Sequence, residues 1–201
     1  MKKLEETVEL TGSSYYTMLR SVIETFPRES SGDLLGRKLN TDYICINAYP
    51  IQTAKRKPNS VRYDDYEAVK RVRAMNKAVN ILGGLGTYLL GGYHSHICKN
   101  QDVESALSKG DINHIKDEFD ELNKNYWIEI TLNIRERKYQ KPKQMGEFVI
   151  RYPRKLRVIL RDDEKHCYDI TFSAYKVTNT KKTKIKELKV KRRKVKVTPL
   201  K

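Results

Sequence analysis

Apolar positions recur along this chain with two periods, and the changes of period divide it into elements. In residues 14–26 (SYYTMLRSVIETF), Tyr15, Met18, Leu19, Val22 and Phe26 fall at helical spacing. Ser13 or Ser14 is placed to cap this helix, and Pro27 to end it. Residues 33–39 and 43–49 read as two strands joined by the turn residues Asn40 to Asp42. A basic loop, 52–62, leads to a long helix that opens at Asp64 or Asp65. Ala68, Val69, Val72, Met75, Val79 and Leu82 line one face of it, and Gly83 and Gly84 stop it. Residues 87–93 (TYLLGGY) read as a buried strand running into His94-Ser95-His96, and 97–107 as a loop. Residues 109–122 form another helix, with Ile112, Ile115, Phe119 and Leu122 on one face. Residues 126–134 (YWIEITLNI) alternate as a strand. A polar loop, 135–146, precedes strands near 147–151, 156–161 and 168–177. There is no internal repeat. Helices interleave with strands throughout, so the expected class is mixed α and β.

Composition narrows the class of protein. A chain of 201 residues suffices for one domain with a core. Apolar residues are 38% and charged residues 33%, too polar for a membrane protein and too apolar for full disorder. No run approaches the roughly 18 apolar residues of a spanning helix. The opening MKKLEETVEL lacks the apolar core of a secretory signal. Three widely spaced cysteines, Cys45, Cys98 and Cys167, argue against a disulfide framework and for a reduced, cytoplasmic setting.

The net charge of +16 is lopsided. Residues 181–201 hold 11 Lys/Arg against one acid, Glu187, and carry +10 of it. That asymmetry suggests a domain over residues 1–178 and a basic C-terminal tail over 179–201. The plainer reading of the tail is a solvated, partly disordered extension; the sharper one is electrostatic contact with RNA, DNA or an acidic protein surface, and in both the tail is dispensable for folding. Against both stands an edge strand in part of it, since Val195 and Val197 alternate with Lys194 and Lys196. No aromatic residue follows Tyr175, so base stacking is not indicated.

His94 and His96 carry the first chemical signal. Two residues apart at a strand end, their imidazoles point to the same side. Two neutral imidazoles are half of a first-row metal site. Downstream, Ser108-Lys109-Gly110-Asp111 opens a helix, where Asp111 can add a carboxylate. Two histidines and one carboxylate leave one tetrahedral position for water, the arrangement of a catalytic zinc. Upstream, Glu29 follows Pro27 in PRESSGDLLG. A carboxylate beside such a water can take its proton and pass it to a leaving amine. Each feature alone has a plainer explanation: His-x-His as surface or core, Ser-x-x-acid as a helix cap, Glu29 as a surface acid. Their joint occurrence in this order is what points to a site.

In these residues the chain resembles the JAMM (MPN+) metalloproteases, whose motif is an upstream Glu, then His-x-His, then Ser-x-x-Asp. Here these read Glu29 in PRESSGDLLG, His94-Ser95-His96 in GGYHSHI, and Ser108-Lys109-Gly110-Asp111. The resemblance covers about residues 10–135 well and the remainder loosely. It implies a curved mixed β-sheet flanked by helices, similar to cytidine deaminases. It implies zinc bound by His94, His96 and Asp111, Glu29 as general acid/base, and Ser108 as a donor to the oxyanion. It also implies cleavage of a peptide or isopeptide bond in a protein substrate, next to a ubiquitin-like or sulfur-carrier tail. Two departures concern one loop: Ile97 stands where the family usually has Pro, and the spacing from His96 to Ser108 is about four residues longer. No ligand type is lost, which argues against a metal-free scaffold member of the MPN group. The rival expectation is a non-enzymatic MPN-type binding module that docks through its basic tail.

Three further residues are weighed for metal chemistry. Cys98 continues the series of His94 and His96, but a strand ending at Ile97 breaks the period. His114 lies one turn beyond Asp111, in position to support a ligand from behind. His166 sits in the turn DDEKH and faces solvent in this reading.

Overall fold

The computed structural model describes residues 5–52, 55–57, 60–62, 70–72, 74–76, 78, 87–98, 106–138, 146–161, 166–180 and 183–193. The strands are β1 Thr7–Leu10, β2 Ser31–Leu39, β3 Asp42–Pro50, β4 Lys55–Lys57, β5 Ser60–Arg62, β6 Tyr88–Ile97, β7 Tyr126–Lys138, β8 Gly146–Arg151, β9 Leu156–Arg161, β10 His166–Thr178 and β11 Lys184–Arg192. Two helices, α1 Gly12–Thr25 and α2 Lys109–Leu122, are described in full. Parts of 70–78 are also helical, and the rest of the long helix expected over 64–82 lies outside the described residues.

The sheet runs β11-β1-β3-β2-β6-β7-β10-β9-β8, and β11 also pairs with β10. That extra pairing closes seven strands into a barrel, with β9 and β8 continuing from β10 as a flap. The expected architecture, a curved mixed sheet flanked by helices in the JAMM or cytidine deaminase manner, is thereby corrected: the protein is mostly β and its sheet closes on itself. The physical reason lies in β10. Its 13 residues pair with β7 along their whole length, while its other edge meets β9 over Cys167–Phe172 and β11 over Ala174–Thr178. One long strand thus serves both flap and seam, and no edge remains on the ring.

Alternation builds the core. Ile128, Ile130, Leu132 and Ile134 of β7 and Ile170, Phe172 and Ala174 of β10 are buried in one cluster with Tyr15, Met18, Leu19 and Val22 of α1. The Tyr15 and Phe172 rings stack at 5.6 Å. On the opposite face Leu89, Trp127 and Val177 receive Ile115 and Phe119 of α2. The two helices therefore pack on opposite faces of the same strands. The cap of α1 is Thr11, not Ser13 or Ser14. The Thr11 hydroxyl accepts from the Ser14 N–H, and Ser14 donates its own hydroxyl to the Cys45 carbonyl at 2.9 Å.

The C-terminal boundary also needs correction. Lys184–Arg192, expected within the tail 179–201, is β11, and pairs parallel with β1 and antiparallel with β10. Leu188 and Val190 are buried among its lysines. Residues 194–201, including Val195 and Val197, lie outside the described residues. The expected loop at 52–62 contains the short β4–β5 hairpin, and the expected loop at 135–146 begins later because β7 continues to Lys138.

At the seam Lys176 and Lys186 stand directly opposite each other, a like-charge pair that alone would destabilise it. Glu6 bridges them, accepting from Lys176 at 2.8 Å and Lys186 at 2.5 Å. Partial burial acts to raise the Glu6 carboxyl, but the two ammonium bonds prevail and lower it from 4.5 to about 2.

Two predictions follow from the seam. Deleting residues 184–201 removes two buried aliphatic side chains, each contributing about 1.5–3 kcal/mol, and exposes two strand edges. The truncated chain should be insoluble or melt far below the full chain. Equal melting temperatures would restore the tail as dispensable. Glu6 is favoured as the anion in the folded state, so its contribution is complete above pH 4.5 and fades as pH falls to about 2. Glu6→Gln should therefore lower the melting temperature most near neutral pH, with the gap closing over that acid range.

Candidate metal centre

β6 positions the histidines through one irregularity. Leu34 of β2 pairs with Gly91 and Leu35 with Leu89, so Leu90 is an extra residue in β6. Leu90 and Tyr93 then both join the interior cluster, while Leu89 faces α2. Gly91 is required at this crossing, because a Cβ there would lie 1.9 Å from the Ile128 carbonyl oxygen. After the bulge, alternation places His94 and His96 on the outer face and Ser95 inside.

The two histidine Nε2 atoms lie 3.0 Å apart, and Asp111 Oδ1 lies 3.6 Å from His94 Nε2. The ligand atoms of His94, His96 and Asp111 all fall within 4.8 Å of one another, a group that can hold a metal ion. Two nitrogens bound to one tetrahedral zinc would be roughly 3.3 Å apart, given Zn–N lengths near 2.0–2.1 Å. The observed spacing is close to that.

Sequence reasoning missed Glu129. It stands on β7 beside Gly92, and its Oε1 lies 2.7 Å from His94 Nδ1. The Trp127 indole N–H donates to its other oxygen at 2.7 Å. This carboxylate holds the Nδ1 proton of His94 and leaves Nε2 free to bind a metal. Burial acts to lower the His94 pKa, but the Glu129 bond and the charges of Glu129, Asp111 and Glu29 prevail and raise it. The available signal was an acid among the polar alternate positions of the strand YWIEITLNI.

Asp111 divides its oxygens between two tasks. Oδ2 accepts from the Ser108 backbone N–H at 2.7 Å, and Ser108 Oγ accepts from the Asp111 N–H at 3.1 Å. This reciprocal capping box fixes the carboxylate and leaves Oδ1 toward His94. Ser108 is thus the helix cap. Its hydroxyl keeps a proton to donate.

Glu29 is carried into place by backbone bonds. Ser30 N–H donates to Ser95 Oγ at 2.8 Å, and Ser95 N–H donates to the Ser30 carbonyl at 2.8 Å. The Ser30 and Ser21 hydroxyls are 2.5 Å apart. The residue between the two histidines therefore clamps the residue after Glu29. Glu29 is buried, and its Oε1 lies 3.4 Å from His96 Nδ1.

The remaining candidates stand apart. Cys98 follows the end of β6, with its thiol 3.8 Å from the His96 carbonyl, and is outside the ligand group. His114 is exposed and acts electrostatically on Asp33, whose carboxyl burial raises and whose partner is Asn76 at 3.1 Å. His166 begins β10 and pairs with Glu136 at 2.7 Å, so it does not simply face solvent. Residues 99–105 of the long loop, and Gly83 and Gly84, lie outside the described residues.

No family model matches the chain, and no curated protein matches it. Among solved structures, it is similar to the solution structure of protein DSY2949 from Desulfitobacterium hafniense, with TM-score 0.51 and 16% identity over 94% of each chain. At that identity the likeness concerns the fold alone. No helix among the described residues is long and apolar enough to cross a membrane.

Proposed function

We propose that the chain is a zinc-dependent peptidase or isopeptidase using the ligand chemistry of the JAMM motif on a barrel wall. The observation that carries this reading is the convergence of His94 Nε2, His96 Nε2 and Asp111 Oδ1, with Glu29 at 3.4 Å on the far side of His96. Two imidazoles and a carboxylate suit zinc, and three protein ligands suit a catalytic rather than a structural site. Zinc supplies Lewis acidity toward the scissile carbonyl and the attacking water. By the JAMM resemblance Glu29 is the acid/base that would take the proton of that water and pass it to the departing amine; in the structure its Oε1 stands 3.4 Å from His96 Nδ1. The Ser108 hydroxyl donates to the developing oxyanion. Glu129 keeps His94 in the ligating tautomer. A protein substrate with an extended C-terminal tail, such as a ubiquitin-like or sulfur-carrier protein, fits this chemistry. Three cysteines free of disulfides are consistent with a cytoplasmic setting.

The rival binding-module reading rests on a free basic tail. That support is weakened, since Lys186, Lys189, Lys191 and Arg192 pair with Glu6, Glu5, Asp42 and Glu147.

Purified protein should hold one zinc per chain, and His94→Ala with His96→Ala should remove it. A full equivalent in the double variant would break the ligand assignment. Glu29→Gln should keep zinc and fold while slowing cleavage on the order of 10²–10⁴-fold. The assay uses fluorogenic peptides bearing the tails of ubiquitin-like proteins, and unchanged turnover would remove Glu29 from the mechanism.

Glu129→Gln should weaken zinc affinity about 10–100-fold, read by competition with a chromogenic chelator. Wild-type affinity in that variant would mean that Glu129 only supports packing.

A further inference from the structure

Beyond the candidate metal centre, three rows of outer-face residues cross β7, β10 and β9. They are Asn133, Thr171 and Arg157; Arg135, Asp169 and Ile159; and Arg137, Cys167 and Arg161. His96 pairs with Asn133, so the first row begins at the metal centre. Asp169 is almost wholly buried and accepts from Arg135 Nη2 at 2.7 Å, Arg137 Nη2 at 2.7 Å, and Arg157 through Nε at 2.7 Å and Nη2 at 2.6 Å.

Three of these bonds fall on Oδ2 and one on Oδ1, and among the described residues they use only part of the donors of the guanidinium groups. Each has five N–H donors, and Arg135 and Arg137 give Asp169 one apiece. The Nε atoms of Arg137 and Arg161 are buried and make no hydrogen bond among the described residues. Arg161 is steadied with its guanidinium 4.4 Å from the Phe148 ring centre. One arginine would neutralise Asp169. Further desolvated cations cost stability unless something negative joins them. The cluster also opens to the surface, since the Arg137 and Arg157 side chains are 31% and 25% exposed.

We propose that Arg135, Arg137, Arg157 and Arg161 form a cationic subsite that takes a carboxylate of an acidic peptide lying along β7 from His96. The forked guanidinium groups match carboxylate geometry, and Asp169 holds three of them in place. That the peptide is a substrate rests on the peptidase reading; the anion site itself does not.

The test is fluorescence anisotropy of a fluorescein-labelled tetra-glutamate peptide with full-length protein at about 0.15 M salt. Arg137→Gln should weaken binding on the order of tenfold, and Arg137→Lys should recover only part of the loss. Arg161 makes no bond to Asp169, so Arg161→Gln leaves that network intact and should weaken binding similarly. Lys189→Gln, the same charge change on β11, should have little effect. Equal losses in all variants would reduce the effect to overall charge and overturn the subsite. Tighter binding of a thymidine tetranucleotide than of the peptide would overturn the peptide assignment. Zinc is measured on the same samples. Wild-type protein without zinc, but with both arginine variants impaired, would sink the peptidase reading and leave the anion site standing.

Discussion

A single extra residue in β6 sets the orientation of everything downstream. Because side chains alternate strictly, the bulge at Leu90 decides which face each following residue serves. Without it, His94 and His96 would enter the apolar interior beside Leu132 and Ile134, and Ser95 would face outward. With it, the histidines face α2 and Glu129, and Ser95 meets Ser30 inside. The same register delivers the acid from the neighbouring strand, since Glu29 precedes the residue that Ser95 holds in both directions. One parity choice thus orients the two histidines and fixes the position of Glu29.

β7 then extends the site in one direction. Its outer residues run Trp127, Glu129, Thr131, Asn133, Arg135 and Arg137, one every second position. Trp127 anchors α2 and bonds Glu129, Glu129 orients His94, and the arginines gather around Asp169. The helix that supplies Asp111 is therefore packed on the same strand that orients His94. Moving α2 would move the carboxylate relative to both histidines. The packing of Ile115 and Phe119 is part of the site's precision, although neither touches a ligand.

The group His94, His96 and Asp111 was legible in the sequence because its geometry is local. His-x-His needs only a strand, and Ser-x-x-Asp needs only a helix start; the structure contains both at Tyr88–Ile97 and Lys109–Leu122. The two 13-residue strands and both helices were likewise visible as periodicity, with errors confined to their ends. Glu129 was not legible, because its role depends on the parallel pairing of β6 with β7 across a helix. Barrel closure was hidden for a different reason. In β11 only Leu188 and Val190 are buried, and the lysines between and around them read as a solvated run. Their charge is tolerated in the seam because Glu6, Glu5 and Asp42 answer it from sequence-distant positions.

Electrostatics gives the outer wall two poles. Glu29, Asp111 and Glu129 surround two imidazoles, a carboxylate excess that favours a cation among them. The raised His94 pKa expresses the same excess, for a proton is the simplest cation that can relieve it. Beyond Asn133 the sign reverses, where Arg135 and Arg137 of β7 and Arg157 of β9 converge on the single Asp169. The two poles begin on adjacent rows of one closed sheet, so neither can shift without breaking strand pairs. A chain bound across them would be held by its negative group at one pole and polarised at a carbonyl by the other. In the proposed peptidase reading, this separation of opposite charges on one sheet would orient an extended peptide before any chemistry begins.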